Sequence, residues 1–212
     1  MSGARRVLLA TRSMGKRREI EPMLCAQGWV VLDLAAAGCD ERPEDEERLE
    51  GASTFAANAL AKARHFHARS GLPTVADDSG LACDALDGAP GVRSKRWSAR
   101  PDLTGRSLDE ANNALLLRAL AEAARRGAAS RVARYVCAAA YVDGVRAEVA
   151  QGETAGRILD GPAGTEGFGY DPLFWSDELQ ASFGFVSREE KARVSHRARA
   201  IAALLKKLEP GS

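Results

Sequence analysis

The stretch VARYVCAAAYVDGVRAEVA, residues 132–150, decides the fold. Two apolar runs, Val132 to Val142 and Val145 to Ala150, flank Asp143-Gly144. An Asp-Gly pair between apolar runs predicts a hairpin closed by a type I′ turn, which needs positive φ at both central residues. This sets an antiparallel pair into a chain whose other segments alternate strand and helix, so the expected class is α/β with a mixed sheet.

Working outward, Val7 to Ala10 reads as a short apolar strand. It runs through the tight segment Thr11-Arg12-Ser13-Met14-Gly15-Lys16 into a helix from about Lys16 to Gln27. Strand, small-residue turn and helix together aim backbone N–H groups and a positive helix end at an anion. Pro22 should kink that helix or end it early, because a proline beyond the first turn removes a hydrogen bond. Trp29 to Leu34 reads as a second strand, and the charge block from Cys39 to Glu50 as a solvated loop. Thr54 is placed to cap a helix through about Arg69, with Phe55, Ala59, Ala63 and Phe66 at helical spacing. Pro73 to Ala76 is expected to be a short buried strand that ends in Asp77-Asp78-Ser79-Gly80.

Gly88-Ala89-Pro90-Gly91 marks a turn, and Ser107 to Arg126 a long helix with Asp109 and Glu110 in its first turn. Gly161, Gly164, Gly167 and Gly169 precede Tyr170-Asp171-Pro172-Leu173-Phe174, a loop feeding a short aromatic strand. Ser187 to Leu208 reads as helical. With no repeat and no Pro/Ser-rich linker, the reading is one domain over residues 1–212, bilobed in form.

Composition narrows the function. The chain has 212 residues, 45% hydrophobic and 28% charged, with 30 Lys plus Arg against 29 Asp plus Glu and a net charge of +1. Such neutrality argues against a nucleic-acid partner, whose footprint is a basic excess, and favours small-molecule chemistry. No apolar run approaches the roughly 20 residues of a membrane-spanning helix, and the first residues lack the pattern of a secretory signal, so no membrane role and a cytoplasmic location are expected. Cys25, Cys39, Cys83 and Cys137 include no C-x-x-C pair and read as reduced, packed thiols. His65 and His67, two apart on a helix, cannot share a face as metal ligands.

Four places gather the residue types of phosphate chemistry: the Thr11 to Lys16 turn, Asp77-Asp78-Ser79-Gly80, Phe168-Gly169-Tyr170-Asp171, and Lys191 with His196-Arg197. Adjacent aspartates at a buried strand repel each other and need a cation or polar partners to stay ionised. Their functional reading is a Mg²⁺ site, since Mg²⁺ takes one or two carboxylates plus phosphate and water. The plainer alternative is a capping Asp-Ser turn. Neighbouring strand residues face opposite ways, so Asp77 and Asp78 are expected to have different jobs.

The segments LLATRSMGK, EGASTFAANALAKA, VADDSGLACDALDGAPGVRSKRWS, GFGYDPLF and EEKARVSHRARA, taken in order, resemble the signatures of the noncanonical purine nucleoside triphosphate pyrophosphatases. The resemblance covers Val7 to Leu208. It implies Mg²⁺-dependent hydrolysis of dITP, ITP and XTP to the monophosphate and pyrophosphate, in a homodimer with an elongated mixed sheet, flanking helices and a cleft between two lobes. By matching positions, it implies that Thr11, Arg12, Ser13, Met14, Gly15 and Lys16 hold the triphosphate and that Ser79 touches substrate. Asp78 would accept a proton and, with Glu50, ligate metal. Phe168, Gly169, Tyr170, Asp171, Lys191, His196 and Arg197 would bind the nucleotide and its base. Phe168 and Tyr170 can wall a purine, and His196 and Arg197 can donate to a 6-oxo group, which adenine lacks.

If Lys191, His196 and Arg197 serve one ligand, a single helix cannot carry them. Relative to Lys191, His196 stands roughly 140° and Arg197 roughly 240° around the axis. A break near Val194-Ser195 is therefore expected, with Ser187 and Glu190 forming a capping box for the preceding turn and Ser195 capping the next helix. Three positions depart from the family pattern: Arg12-Ser13 replaces the usual Gly-Asn, Ala57 a frequent Glu, and Cys83 a small β-branched residue. Two rival readings remain: a Maf-like pyrophosphatase for modified or pyrimidine triphosphates, and a nucleotide-binding protein without turnover.

Overall fold

The computed structural model describes residues 5–39 and 49–209. The charge block expected to form a solvated loop falls largely on residues 40–48, outside the described residues. The strands are β1 (Arg5–Leu9), β2 (Trp29–Leu32), β3 (Thr74–Cys83), β4 (Val132–Val142), β5 (Ala147–Ile158), β6 (Phe174–Ser176) and β7 (Ala181–Ser182). The helices are α1 (Met14–Ala26), α2 (Phe55–Ser70), α3 (Gly105–Arg125), α4 (Arg188–Val194) and α5 (His196–Leu208).

The sheet order is β2-β1-β3-β4-β5-β6-β7. β1 runs parallel to β2 and β3, while β6 is antiparallel to β5 and β7, so the sheet is mixed and the fold α/β, as expected. Two compact units divide the chain: Met1–Asp78, Cys137–Gly152 and His196–Ser212 form one, Ser79–Val136 and Glu153–Ser195 the other.

In the first unit the buried strands alternate between two apolar layers. Val7, Leu9, Val75, Cys137 and Ala139 pack with Ile20 and Leu24 of α1 and Ala200, Ile201 and Leu204 of α5. Leu8, Ala76, Ala138 and Ala140 pack with Ala59, Ala63 and Phe66 of α2. Both faces of these strands are thus covered, which is why the β4 segment reads as a nearly continuous apolar run. Thr54 caps α2 by accepting the Ala57 N–H, and Gly71 closes it in the left-handed region at φ 69°. In the second unit Leu116 and Leu120 of α3 pack with Leu81, Tyr135, Phe174 and Phe183.

Several elements differ from expectation. α1 begins at Met14 and runs through Pro22 to Ala26 without ending early. Pro22 and Arg18 are exposed, so water can serve the carbonyl that the proline leaves, while Ile20 and Leu24 are buried on the opposite side. β2 stops at Leu32 because the next residue, Asp33, accepts the Ala36 N–H at 2.7 Å and starts a turn. β3 does not end before the aspartates but continues through Asp77-Asp78-Ser79-Gly80 to Cys83. Gly80 makes this continuation possible, since a Cβ there would run into Ser94 Oγ and the Gly91 carbonyl.

The turn after β4 is not type I′: of Asp143 to Arg146 only Gly144 has positive φ, at 88°. Instead Asp143 Oδ1 accepts the Val145 and Arg146 N–H groups at 2.9 and 2.7 Å, closing a four-residue loop. α3 starts at Gly105, which moves Asp109 and Glu110 out of its first turn. The break near the C-terminus is present: α4 ends at Val194, α5 starts at His196, and Ser187 with Glu190 forms a capping box. Among the described residues no helix is long and apolar enough to cross a membrane.

Candidate functional site

The first unit gathers a cluster of charges around the consecutive aspartates. Because β3 is extended, Asp77 points to the α1 and α5 layer and Asp78 to the α2 layer. Asp77 is buried and meets the Lys16 ammonium at 2.9 Å and the Arg197 guanidinium at 3.4 Å. Arg197, also buried, pairs in addition with Glu19 of α1. Asp78 accepts from Asn58 Nδ2 at 2.8 Å, and Lys62 lies between Asp78 at 3.7 Å and Glu50 at 3.2 Å.

These surroundings split the pair electrically. Burial alone would push Asp77 up, but Lys16, Arg197 and Lys62 outweigh it and hold its carboxyl far below the ordinary aspartate value of 3.8. For Asp78 burial prevails over Lys62 and Lys16, and its carboxyl is raised. Two neighbouring carboxyls are thus tuned apart, one kept ionised and the other able to take up a proton.

The sign of the Asp77 effect gives a test. A carboxyl held below its unfolded value adds stability fully above that value and loses it as pH falls toward the folded one. The stability difference between the parent and Asp77→Asn, measured by urea unfolding, should be constant from pH 7 to pH 5 and shrink only below the ordinary aspartate range. A difference already shrinking at about pH 6 would contradict this assignment.

The turn between β1 and α1 is shaped by two side chains. Thr11 Oγ1 accepts the Ser13 N–H at 3.2 Å, and Ser13 Oγ caps α1 by accepting the Lys16 N–H at 3.3 Å. Met14 and Gly15 therefore form the first helical positions, whose N–H groups have no partner within the helix ladder. Arg12 has no positive φ, so glycine's freedom is not needed there; its exposed side chain reaches toward the Cys39 carbonyl at 3.4 Å.

The second unit holds the aromatic loop. Asp171 is buried, and its Oδ2 accepts from Lys191 Nζ at 2.6 Å and the Phe168 N–H at 2.9 Å. Its Oδ1 accepts from the Tyr135 hydroxyl at 3.1 Å. The Lys191 ammonium lies 5.0 Å from the Phe168 ring centre and 5.3 Å from that of Phe183. Gly167, at φ 76°, passes so close that a Cβ would strike the Asp171 carboxylate. Tyr170 donates its hydroxyl to the Ser94 carbonyl at 2.8 Å, and the Gly169 N–H donates to Asp109 Oδ2 at 2.8 Å. Ser79, half-buried on β3, opens a segment of this unit, whereas buried His196 starts α5 in the first.

The sequence-predicted residues thus fall into two groups. Lys16, Glu50, Asp78 and Arg197 come together with Asp77, and Lys191, Phe168, Gly169 and Asp171 form the second set. Lys62, Asn58 and Glu19 in the first, and Asp109, Asn113 and Tyr135 in the second, were not singled out as site residues from the sequence. A signal existed for some: Asn58 and the Asn112-Asn113 pair are polar residues on stripes otherwise filled by Ala, Leu and Phe, and a buried polar group needs a partner. The buried thiols carry no sign of reactivity, and burial pushes Cys83 up to about 12.

Among the described residues no three His, Cys, Asp or Glu side chains gather as a metal cage. Glu50 and Asp78 nevertheless share one cation, the Lys62 ammonium, and two carboxylates are an ordinary protein contribution to a Mg²⁺ site completed by phosphate and water. The donor set fits that ion.

The Ham1 family model matches residues 7–207. A dITP/XTP pyrophosphatase of Frankia alni is 47% identical over 209 residues, covering 96% of this chain and 98% of the relative. One from Ralstonia nicotianae is 44% identical, covering 96% of each. A solved HAM1 protein of Coxiella burnetii superposes with a TM-score of 0.81 at 30% identity, covering 96% of this chain and 98% of that one.

Proposed function

Because the chain belongs to the Ham1 family, we propose that it hydrolyses dITP, ITP and XTP to the monophosphate and pyrophosphate, removing them from the nucleotide pool. The observation that carries this reading is the geometry of the consecutive aspartates: Asp77 is buried against Lys16 at 2.9 Å and Arg197 at 3.4 Å, while Asp78, on the other face of β3, lies beside Asn58 and the Lys62 ammonium that it shares with Glu50, where burial raises its carboxyl and suits it to accept a proton. Both units are read as one catalytic domain, in keeping with a family match over residues 7–207. The reading includes a cytoplasmic homodimer with no nucleic-acid or membrane partner.

Attack of water at the innermost phosphorus requires a base to orient and deprotonate it, and cations along the phosphate tail. Asp78 is assigned the first role. Lys16, with the N–H groups of Met14 and Gly15 at the start of α1, and Thr11, Arg12 and Ser13 beside them, is assigned the second. Lys62, whose ammonium already touches two carboxylates, joins Lys16 there. Glu50 and Asp78 would hold Mg²⁺, which when bound supplies charge neutralisation to the phosphates. Ser79 is assigned to substrate contact. Phe168, Gly169, Tyr170, Asp171 and Lys191 are assigned to the nucleotide and base, with His196 and Arg197 supplying N–H donors suited to a 6-oxo purine.

A panel of eight triphosphates, assayed for pyrophosphate with and without Mg²⁺, tests the proposal. Release from dITP, ITP and XTP should exceed that from dATP by about 10²-fold or more, as expected when donors face an amine they cannot satisfy. Faster release from dTTP or UTP would favour the Maf-like reading, and binding without release the non-catalytic one.

A further inference from the structure

We infer that Asp109 and Asn113 of α3 are positioning residues for the reaction, gripping the Gly169 peptide at both its N–H and its carbonyl and so fixing the loop that carries Phe168. For its substrate the inference rests on the proposed function, but its geometry does not. The Gly169 N–H donates to Asp109 Oδ2 at 2.8 Å, and Asn113 Nδ2 donates to the Gly169 carbonyl at 3.1 Å. Asp109 and Asn113 are one helical turn apart, so they present side by side from one face of α3. α3 is itself anchored by Leu116 and Leu120 in the apolar core of this unit.

The loop is thereby tied at two independent places. Its far end is held by Asp171 through Lys191, Tyr135 and the Phe168 N–H. Tyr170 is committed to Ser94, which leaves Phe168 as the loop's half-buried ring, directly beside the gripped peptide. Gly169 has φ 64°, a conformation that the two flanking bonds select from the many open to glycine. Without them the ring would keep its chemistry and lose its fixed aim, so the two side chains act through Phe168 and touch no substrate themselves.

The test compares Asp109→Ala, Asn113→Ala and Asp109→Asn with the parent, the last variant keeping an oxygen acceptor for the Gly169 N–H. Deuterium uptake of the 166–172 segment in nucleotide-free protein is measured by mass spectrometry, together with KM and kcat for dITP. Both alanine variants should raise uptake in that segment and raise KM about tenfold, with kcat within about twofold, and Asp109→Asn should restore both. Unchanged uptake in either alanine variant, or an equal fall of kcat in Asp109→Ala and Asp109→Asn, would overturn the inference. Should Asp109→Ala fail to fold, Asn113→Ala decides by the same two readouts. A parent that releases no pyrophosphate would refute the proposed function, and the uptake comparison would then still decide whether α3 fixes the loop.

Discussion

Asp78→Asn should lower dITP turnover roughly a thousandfold, the scale of losing a positioned general base. The fold should survive it. An amide at this position keeps an oxygen for Asn58 Nδ2, which now reaches Asp78 Oδ2 at 2.8 Å. Burial already disfavours the charged form of Asp78, so removing the charge relieves a strain on the folded state. The melting temperature should therefore be unchanged or higher while activity collapses, and the two measurements together separate loss of chemistry from loss of structure. A variant retaining more than about a tenth of parental turnover would show that Asp78 is not the base.

Asp171→Ala should have the largest effect on stability, about 3 to 5 kcal/mol by urea unfolding, because it removes at once the buried carboxylate that pairs with the Lys191 ammonium and accepts from the Phe168 N–H and the Tyr135 hydroxyl. Lys191→Met should cost less. It leaves Asp171 two donors and replaces the ammonium by a side chain that packs against Phe168 and Phe183. The double variant should be more stable than the sum of the two losses predicts, since the one ion pair that both single variants remove is then lost only once. Equal losses for the two single variants, adding in the double, would show that the pair is not coupled.

The legibility of this chain follows from which interactions are local. Thr54, the Ser187–Glu190 capping box and the break at Ser195 depend on residues within a turn of each other or on the helical period, and each was readable. The mixed sheet was readable from the 132–150 segment, although the turn within it was not, because Asp143 binds the backbone through its side chain where positive φ at two residues was expected. Pro22 misled for a related reason: propensity speaks for an isolated helix, whereas Ile20 and Leu24 are held by a core the local sequence does not display.

In the candidate site, the alternation of β3 foretold that Asp77 and Asp78 would have different surroundings. Their partners were harder to read. Arg197 meets Asp77 across 120 positions of sequence, and Asn58 meets Asp78 across 20. Asp109 was visible only as an acid near a helix start, and its bond to Gly169, 60 positions away, required the fold. Burial is a property of the folded chain alone, so the opposite displacement of two identical neighbouring side chains could not be read from their order.

The most direct measurement is the fate of the oxygen that water delivers. With dITP and Mg²⁺ in ¹⁸O-water, attack at the innermost phosphorus predicts one labelled oxygen in the monophosphate and unlabelled pyrophosphate, with the signal lost in Asp78→Asn. Label in the pyrophosphate, or release of orthophosphate as the first product, would contradict the account.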